Sequence, residues 1–251
     1  MKKNKKILLI GGSGQLGSML VSSKLFKKIY FPSKKKLNIL NNKKIRKILT
    51  TGKFQIIINC AALARIRECE NNISKAIDVN VSGTLNLVKE IMKYNKSSKK
   101  NLRLIHISTD AVYPSQKGGY SEKSPLGPYN VYGWTKLASE FLVKMIDNHV
   151  ILRTRFFNKE NIKFHKSAKD LFSSSIEIKE LVKNIKIISE SNFTGTINVG
   201  AKRKSDYANY KKFKSSLKPC FRKDIVKSLK FNLGKDSSMN LKLLKKIVKR
   251  K

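Results

Sequence analysis

A chain of 251 residues is long enough to bury a sizeable core, and its 40% share of hydrophobic residues is normal for a globular protein. The charge is unusual, because 55 Lys and Arg residues are opposed by only 16 Asp and Glu residues, which gives a formal net charge of +39. No apolar run approaches membrane-spanning length, and the three cysteines match neither a zinc site nor a disulfide framework. We therefore expect a cytoplasmic protein without a membrane segment, and we exclude a disulfide-stapled scaffold.

Lysines occur in pairs and triplets along the whole chain rather than in one tail, for example at residues 34–36, 43–44 and 245–246. Most of them are expected to be solvated surface charge that reflects a general lysine bias. Selected binding to nucleic acid or to membrane phosphates is the alternative, and we expect neither partner. A nucleotide-linked substrate would itself be anionic, so part of this charge could attract it.

In chain order, short apolar runs alternate with helical periodicities over the first 155 residues. The apolar runs predict strands at residues 7–10, 29–31, 56–58, 102–107 and 150–152. Apolar residues at helical spacing predict helices at residues 16–25, 41–49, 74–94 and 131–145. This alternation predicts a Rossmann-type α/β fold, in which a doubly wound parallel sheet carries helices on both faces.

The pattern loosens after residue 155, where a helix near residues 176–190, a strand near residues 196–199 and basic helical pieces follow. We expect residues 1–155 to form a dinucleotide-binding domain and residues 156–251 to form a small, shortened C-terminal substrate-binding cap. The Gly-, Pro- and Ser-rich segment 108–131 is predicted to be a loop at the carboxyl end of the fourth strand. Open parallel sheets bind their ligands at that edge.

A glycine-rich segment from Gly11 to Gly17 joins the first predicted strand directly to the first predicted helix. Its glycines permit a tight turn and let the backbone approach a pyrophosphate, while the helix N-terminus supplies amide donors and a favourable dipole. In this context the pattern predicts a dinucleotide-binding turn that includes Gly11, Ser13 and Gly17. A turn that only connects the two elements is the alternative.

The end of the second predicted strand bears on the choice of cofactor. Folds that prefer NAD usually place Asp or Glu there to bond the adenosine ribose. Residues 31–36 contain three lysines and no carboxylate, so a 2′-phosphate should be tolerated better, with Ser33 and Lys34 as its candidate contacts. We therefore expect NADP rather than NAD, although these lysines are equally compatible with plain solvated charge.

Tyr132 and Lys136 lie four residues apart on a predicted helix, so both side chains project from the same face. A positive charge nearby favours the phenolate and is expected to lower the pKa of Tyr132, which could then exchange a proton with a substrate oxygen. Lys136 can also bond the nicotinamide ribose. Ser108 and Thr109 end the fourth predicted strand and would place a hydroxyl at the same edge. The pair alone also arises by chance in a lysine-rich chain, but all these elements in their order favour catalysis.

Several stretches together resemble the short-chain dehydrogenase/reductase superfamily in its extended, sugar-nucleotide branch. Within that branch the chain resembles the dTDP-4-dehydrorhamnose reductase family, over residues 6–155 and more faintly at residues 235–240. The matching stretches are residues 11–17, 58–62, 78–80, 108–113, 120–122 and 132–140.

This resemblance implies that Thr109, Tyr132 and Lys136 are the catalytic hydroxyl, the acid and the ribose-binding ammonium. Tyr132 and Lys136 are counted among the dinucleotide contacts as well. The other implied contacts of the dinucleotide are Gly14, Gln15, Leu16, Asn38, Ile39, Ala61, Ala62 and Leu63, together with Asn80 of one matching stretch.

The expected substrate contacts are Ser108, Asp110, Ala111, Arg155 and Phe156. The family typically has an aromatic residue at the position of Ala111, and an aromatic sugar contact where residues 155–157 are Arg-Phe-Phe. These departures leave the identity of the sugar open. Some members bind a metal through an acidic residue of the first helix, but Met19 stands there, so we expect no metal.

Two further residues attract attention without a predicted catalytic role. His106 lies within an apolar strand and is expected to be a hydrogen-bonded core side chain rather than a base. Trp134 stands inside the catalytic helix, where packing is expected rather than contact with substrate.

The leading hypothesis is an NAD(P)H-dependent reductase of a nucleotide-diphospho-4-keto-6-deoxy-sugar that serves surface polysaccharide synthesis. One alternative keeps the same site for epimerisation or dehydration with tightly bound NAD. Another is a non-catalytic sugar-nucleotide or nucleic-acid binding protein that kept the fold and lost turnover. By analogy with related extended reductases, we also consider a homodimer.

Overall fold

The computed structural model describes residues 5–227, 231 and 233–249. In chain order the strands are β1 (Ile7–Ile10), β2 (Ile29–Tyr30), β3 (Ile56–Asn59), β4 (Arg103–Thr109), β5 (His149–Thr154), β6 (Phe156–Phe157), β7 (Lys166–Ala168), β8 (Phe172–Ser173), β9 (Ile176–Glu177), β10 (Gly195–Val199), β11 (Lys204–Ser205) and β12 (Lys218–Cys220). The helices are α1 (Gln15–Ser22), α2 (Asn42–Gly52), α3 (Ile66–Asn71), α4 (Ile73–Ile77), α5 (Gly83–Ser98), α6 (Val131–Val143), α7 (Ile178–Glu190), α8 (Asp206–Tyr210), α9 (Arg222–Val226) and α10 (Lys242–Lys249). Within the described ranges, no helix has both the length and the apolar character needed to cross a membrane.

Six strands form one parallel sheet in the order β10-β5-β4-β3-β1-β2. Parallel neighbours need crossover connections, and helices supply them on both faces. The strand order reverses at β1, because β2 lies on one side of it and the later strands lie on the other. In such sheets, ligands bind in the crevice at the carboxyl ends of the strands that flank this point. The predicted Rossmann-type α/β class is therefore confirmed.

Two apolar cores cover the two faces of the sheet. Alternate residues of β1 divide between them, since Leu9 packs into the first core and Leu8 into the second. Helices α1, α7 and α10 close the first core, whereas α2 and α5 close the second. The strands are therefore buried on both faces, which explains why they are continuous apolar runs in the sequence.

Part of the segment 156–251, which the sequence predicts as a cap, belongs to the main sheet. Strand β10 pairs with β5, and α7 packs against α1 in the first core. The physical reason is that α7 carries an apolar face, and a strand-helix-strand crossover buries such a face against the sheet. The short strand pairs β6–β9, β7–β12 and β8–β11, together with α8, form the remaining cap. The division into two domains stays a prediction.

The predicted helix at residues 74–94 is interrupted. Helix α4 passes into a single π-helical turn, Asp78–Ser82, before α5 begins. Such turns insert one extra residue into a helix and are frequent at functional sites. Here the turn places the buried Asn80 so that its Nδ2 donates to Thr135 Oγ1 at 2.9 Å, which ties this helix to α6.

Candidate active site

The turn after β1 begins in a left-handed conformation that favours glycine, since Gly11 has a φ of +82°. The amide of Gly14 donates a hydrogen bond to the Gly11 carbonyl at 3.1 Å and closes the turn. A Cβ atom at Gly17 would collide with that carbonyl, so glycine there lets α1 start close behind the turn. The N-terminus of α1 is thereby placed next to the groove that Gly14 lines, a position that favours a bound anion.

A groove of about 220 Å³ extends from the glycine turn past the segment after β2 to the end of β3. A Cβ atom at Gly11 would overlap the backbone of Ala61, so the cradle at its floor admits only glycine. This cradle, the start of α1 and the charge of Lys34 together fit a dinucleotide. The predicted cofactor contacts in the wall of the groove are Gly11, Ser13, Gly14, Lys34, Asn38, Ile39, Ala61 and Ala62.

Other predicted cofactor contacts lie around this groove rather than in its wall. Gln15 lines a larger cleft, and Leu63 and Asn80 bond each other, with the Leu63 amide donating to Asn80 Oδ1 at 2.8 Å. The predicted contacts outside the groove wall are Gln15, Leu16, Gly17, Ser33, Leu63, Asn80, Tyr132 and Lys136. Direct contact between any of these residues and a cofactor stays a prediction.

The larger cleft, of about 630 Å³, lies between the carboxyl edge of the sheet and the cap. Gln15 connects it to the glycine turn, and Thr109 and Tyr132 stand in its wall. The hydroxyl of Ser108 donates to Glu140 Oε1 at 2.5 Å and is therefore directed into the protein. The predicted substrate contacts all line this cleft, and their roles stay predictions: Ser108, Asp110, Ala111, Arg155 and Phe156.

The phenol of Tyr132 lies beside the side chain of Thr109. Burial and the negative charge of Asp110 raise the pKa of Tyr132 above its ordinary value. The sequence-based expectation that Lys136 lowers this pKa is therefore wrong for the structure described, in which the Lys136 amine contacts a different partner. Tyr132 is consequently protonated at neutral pH, as a proton donor must be.

Lys136 is 2% exposed, and its Nζ lies 2.9 Å from Nε2 of His106 on β4. Burial lowers the pKa of this amine to about 8, and Glu140, one helical turn further along α6, acts in the opposite direction. His106 is a buried core side chain, and its contact with Lys136 was not predicted from the sequence. The sequence does contain a signal for this contact, because an imidazole in a buried strand that leads to the site needs polar partners.

Helix α6 is held at its start and along its inner side. The side chain of Asn130 caps its first turn at 2.7 Å, and Glu70 Oε1 accepts the Val131 amide at 2.8 Å. Glu140 on the inner side forms an ion pair with Arg153 of β5 at 2.7 Å, and both side chains are almost completely buried. These contacts fix the position of the helix that carries Tyr132 and Lys136.

The cap and the C-terminal segment contribute polar groups that were not predicted from the sequence. Asp206 binds Arg155 at 3.1 Å, and Ser237 donates to Asp110 Oδ2 at 2.6 Å. Burial raises the pKa of Asp110, whereas the charge of Arg155 opposes that shift. No motif surrounds Asp206 or Ser237. The scarcity of acidic residues is a usable signal for Asp206, because an isolated carboxylate in a basic segment favours a specific ion pair.

The parallel sheet, the glycine turn and the set of Thr109, Tyr132 and Lys136 define a Rossmann-fold protein of the short-chain dehydrogenase/reductase class. A family model described as the RmlD substrate binding domain matches residues 5–208, which is most of the chain. The chain therefore belongs to this family. The resemblance to dTDP-4-dehydrorhamnose reductases in its motifs is confirmed by relatives of that name.

Two curated relatives illustrate the extent of the similarity. The dTDP-4-dehydrorhamnose reductase of Aggregatibacter actinomycetemcomitans is 30% identical over 155 residues, which are 59% of this chain and 50% of that protein. The spore coat polysaccharide biosynthesis protein SpsK of Bacillus subtilis (strain 168) is 30% identical over 154 residues, which are 59% of this chain and 52% of that protein. The chain thus spans about half the length of the curated relatives it matches.

The similarity in structure extends further along the chain. A dTDP-4-dehydrorhamnose reductase from Bacillus anthracis str. Ames, solved in complex with NADP, superimposes with a TM-score of 0.85 and 24% sequence identity. The superposition covers 96% of this chain and 92% of that chain. At this identity the likeness shows the fold alone, and it includes the C-terminal half in which the motifs are faint.

Proposed function

We propose that the protein reduces the 4-keto group of a nucleotide-diphospho-4-keto-6-deoxy-sugar with NADPH, as a step in surface polysaccharide synthesis. The observation that carries this proposal is one continuous cleft whose wall includes Gln15 of the glycine turn together with Thr109 and Tyr132. A ketone in this cleft lies beside a protonated phenol and close to the dinucleotide groove. The names of the matched relatives, a dTDP-4-dehydrorhamnose reductase and a spore coat polysaccharide biosynthesis protein, support the same substrate class.

Each catalytic side chain has a distinct task in this reaction. When bound, NADPH supplies the hydride for the carbonyl carbon. Tyr132 provides the proton for the carbonyl oxygen, and its raised pKa keeps the phenol protonated until that oxygen becomes basic. Thr109 orients the same oxygen through its hydroxyl. Lys136, as an ammonium, would bind the ribose hydroxyls, which accept its hydrogens.

The proposal is tested with purified protein, NADPH and a dTDP-4-keto-6-deoxy-sugar. We expect consumption of NADPH that depends on the sugar nucleotide, with formation of the 4-hydroxy product. Binding of NADPH should be measured separately by titration. Intact binding of NADPH without reduction of any such sugar nucleotide would contradict the proposed reaction and leave only a dinucleotide-binding protein.

The cofactor preference depends on Lys34. Replacing it with glutamate is expected to lower the affinity for NADPH relative to NADH by about tenfold or more, because a carboxylate repels a 2′-phosphate and bonds a 2′-hydroxyl. The ratio of the two dissociation constants is the measurement. Lys47→Glu, an equal charge change on the exposed side of α2, is the matched control. An equal ratio in both variants would show that Lys34 is plain solvated charge.

The proposed homodimer forms through the exposed faces of α5 and α6, which pack side by side. Met92 on α5 and Trp134 and Phe141 on α6 are large apolar side chains that remain 46%, 57% and 57% exposed. The expectation that Trp134 packs within the fold is therefore wrong, because α6 turns this side chain to the surface. Burying such residues in a second copy removes apolar area from water.

The dimer prediction is tested by light scattering on Phe141→Glu. A charge at the centre of the contact is expected to shift the protein from dimer to monomer, because an unpaired carboxylate is costly to bury. Phe221→Glu is the matched control, since Phe221 is 47% exposed on the cap and lies outside this surface. A wild-type protein that is already monomeric at micromolar concentration would contradict the homodimer.

A cytoplasmic location is also part of the proposal. The thiols of Cys60, Cys69 and Cys220 are free, as is typical of a reducing compartment. NADPH and sugar nucleotides are cytoplasmic metabolites in the proposed reaction, so the location and the chemistry are consistent.

A further inference from the structure

His106 lies at the centre of a buried set of hydrogen bonds under the active site. It is 0% exposed, and its Nδ1 lies 3.2 Å from Nδ2 of Asn59 on the neighbouring strand β3. Its Nε2 lies 3.1 Å from Oγ of Ser139 and 2.9 Å from Nζ of Lys136, both on α6. The imidazole therefore connects the central sheet to the lysine of the catalytic pair.

The partners of Asn59 decide which ring nitrogen of His106 carries the proton. The amide of Ala61 donates to Asn59 Oδ1 at 3.1 Å, so the Asn59 NH₂ group is the part that points to His106. An NH₂ group only donates, and Nδ1 of His106 must therefore accept. Burial lowers the pKa of His106 well below its usual value, so the ring is neutral and its proton is on Nε2.

The Oγ atom of Ser139 accepts the hydrogen bond that the Nε2–H of His106 donates. Its own hydroxyl donates to the carbonyl of Lys136 at 2.7 Å, which leaves the lone pairs of its oxygen free for the N–H of His106. Nε2 of His106 consequently presents a hydrogen, and no lone pair, towards Nζ of Lys136. An ammonium has no acceptor to offer there, whereas an uncharged amine has a lone pair.

We propose that His106 is a positioning residue that retains Lys136 only as the uncharged amine and releases it to the cofactor ribose as the ammonium. The inference rests on the proposed function, because it assigns Lys136 to a nicotinamide ribose. Conversion of the amine adds one proton from the solvent and breaks the contact with Nε2. The ammonium then leaves a ring that offers it no acceptor and turns to the ribose hydroxyls, which accept its hydrogens.

The electrostatic surroundings of Lys136 are consistent with this exchange. Burial lowers its pKa to about 8, so amine and ammonium interconvert near physiological pH. Glu140 on α6 favours the ammonium, but it is also paired with Arg153 of β5. Cys60 at the end of β3 stays a neutral thiol in this range, since burial raises its pKa to about 12. Among these neighbours of His106, Lys136 is thus the group whose charge changes near pH 8.

The first test is the pH dependence of NADPH affinity in the full-length protein. In the wild type, affinity is expected to fall about tenfold per pH unit above the pKa of Lys136, because each binding event then requires uptake of a proton. His106→Gln offers a carbonyl oxygen that accepts from the Lys136 ammonium. Because this favours the ammonium, the fall in NADPH affinity should begin about one pH unit higher. Ser139→Ala removes the hydroxyl that accepts from Nε2–H, so the Lys136 amine becomes the remaining acceptor. This favours the amine over the ammonium, and the fall in NADPH affinity should therefore begin at lower pH. His149→Gln is the control and should follow the wild type.

Identical pH profiles in the wild type, His106→Gln and Ser139→Ala would overturn the proposal. A purely structural role for His106 lowers affinity at every pH and leaves the midpoint unchanged. If the wild type reduces the sugar but the midpoint of the NADPH-affinity profile does not shift in the variants, this inference is wrong and the proposed function stands. If the midpoint shifts but no sugar nucleotide is reduced, the role of His106 stands and the proposed reaction is wrong.

The second test needs no cofactor. The chain has three histidines, so nitrogen-15 spectra of histidine-labelled free protein are simple, and His106→Gln identifies the signal of His106 by its loss. We expect a neutral ring with its proton on Nε2 from acidic to alkaline pH. A proton on Nδ1, or an imidazolium at neutral pH, would overturn the proposal even if NADPH did not bind.

Discussion

Replacing Tyr132 with phenylalanine is expected to lower kcat for sugar reduction by roughly 100-fold to 10 000-fold, the usual contribution of a positioned proton donor. The phenol stands in the wall of the cleft beside Thr109, so the variant loses the group that is proposed to protonate the carbonyl oxygen. The aromatic ring is retained, and the shape of the cleft changes little. Affinity for NADPH should therefore fall far less than kcat.

Tyr129→Phe is the matched control for this experiment. Tyr129 lines the same cleft, and burial raises its pKa as well, but its hydroxyl lies near Ser115 rather than Thr109. We expect a small effect on kcat, with any loss in the KM for the sugar nucleotide. Equal losses of kcat in the two variants would contradict the assignment of Tyr132 as the donor. The pH profile of kcat adds a check, because a donor with a raised pKa remains active into the alkaline range.

The meeting of Thr109 and Tyr132 could be predicted from the sequence, because each is placed by a strong local rule. Thr109 ends a buried strand of a parallel sheet, and such strand ends share one edge. Tyr132 lies in the first turn of a capped helix that packs on the same strand. The position of the Lys136 amine could not be predicted, because helical spacing determines the helix face on which a side chain stands but not where its terminal atom lies. A flexible four-carbon stem allowed the contact with His106 instead.

The cap was harder to predict for a different reason. Its strands have only two or three residues, and they pair with partners far away in the chain, as β7 does with β12. Runs this short show no periodicity. Arg155 and Asp206 meet across such a connection, so their ion pair follows from the tertiary structure and from no local pattern.

The large positive charge of the chain coexists with a cleft that is lined by buried carboxylates. Acidic residues are few, yet several are buried next to a basic or hydroxyl partner, as Asp110, Asp206 and Glu140 are. Most lysines, in contrast, lie on the surface, where their charges are solvated. The charge excess thus lies mostly on the surface, whereas these buried carboxylates each have a specific partner. Loss of one interior carboxylate should matter far more than loss of a surface charge.

Replacing Glu140 with alanine is accordingly expected to lower the free energy of unfolding by about 3–5 kcal/mol, because it leaves Arg153 as an unpaired buried charge. Arg153 is 1% exposed, and its Nη2 lies 2.7 Å from Glu140 Oε2. The hydroxyl of Ser108 also loses its acceptor. Urea unfolding followed by circular dichroism measures this change as a lower midpoint. Glu160→Ala is the control, because the Glu160–Lys179 pair is exposed on both sides and should contribute little.

A double replacement separates the loss of the pair from the loss of packing. Glu140→Leu together with Arg153→Met removes both charges and keeps apolar volume, so much of the stability should return even though the ion pair is absent. Activity should not return to the same extent, because Glu140 also acts on the charge of Lys136 and holds Ser108 at the cleft. A double variant as unstable as Glu140→Ala would show that the hydrogen bonds of the pair, rather than an uncompensated charge, hold α6 against the sheet.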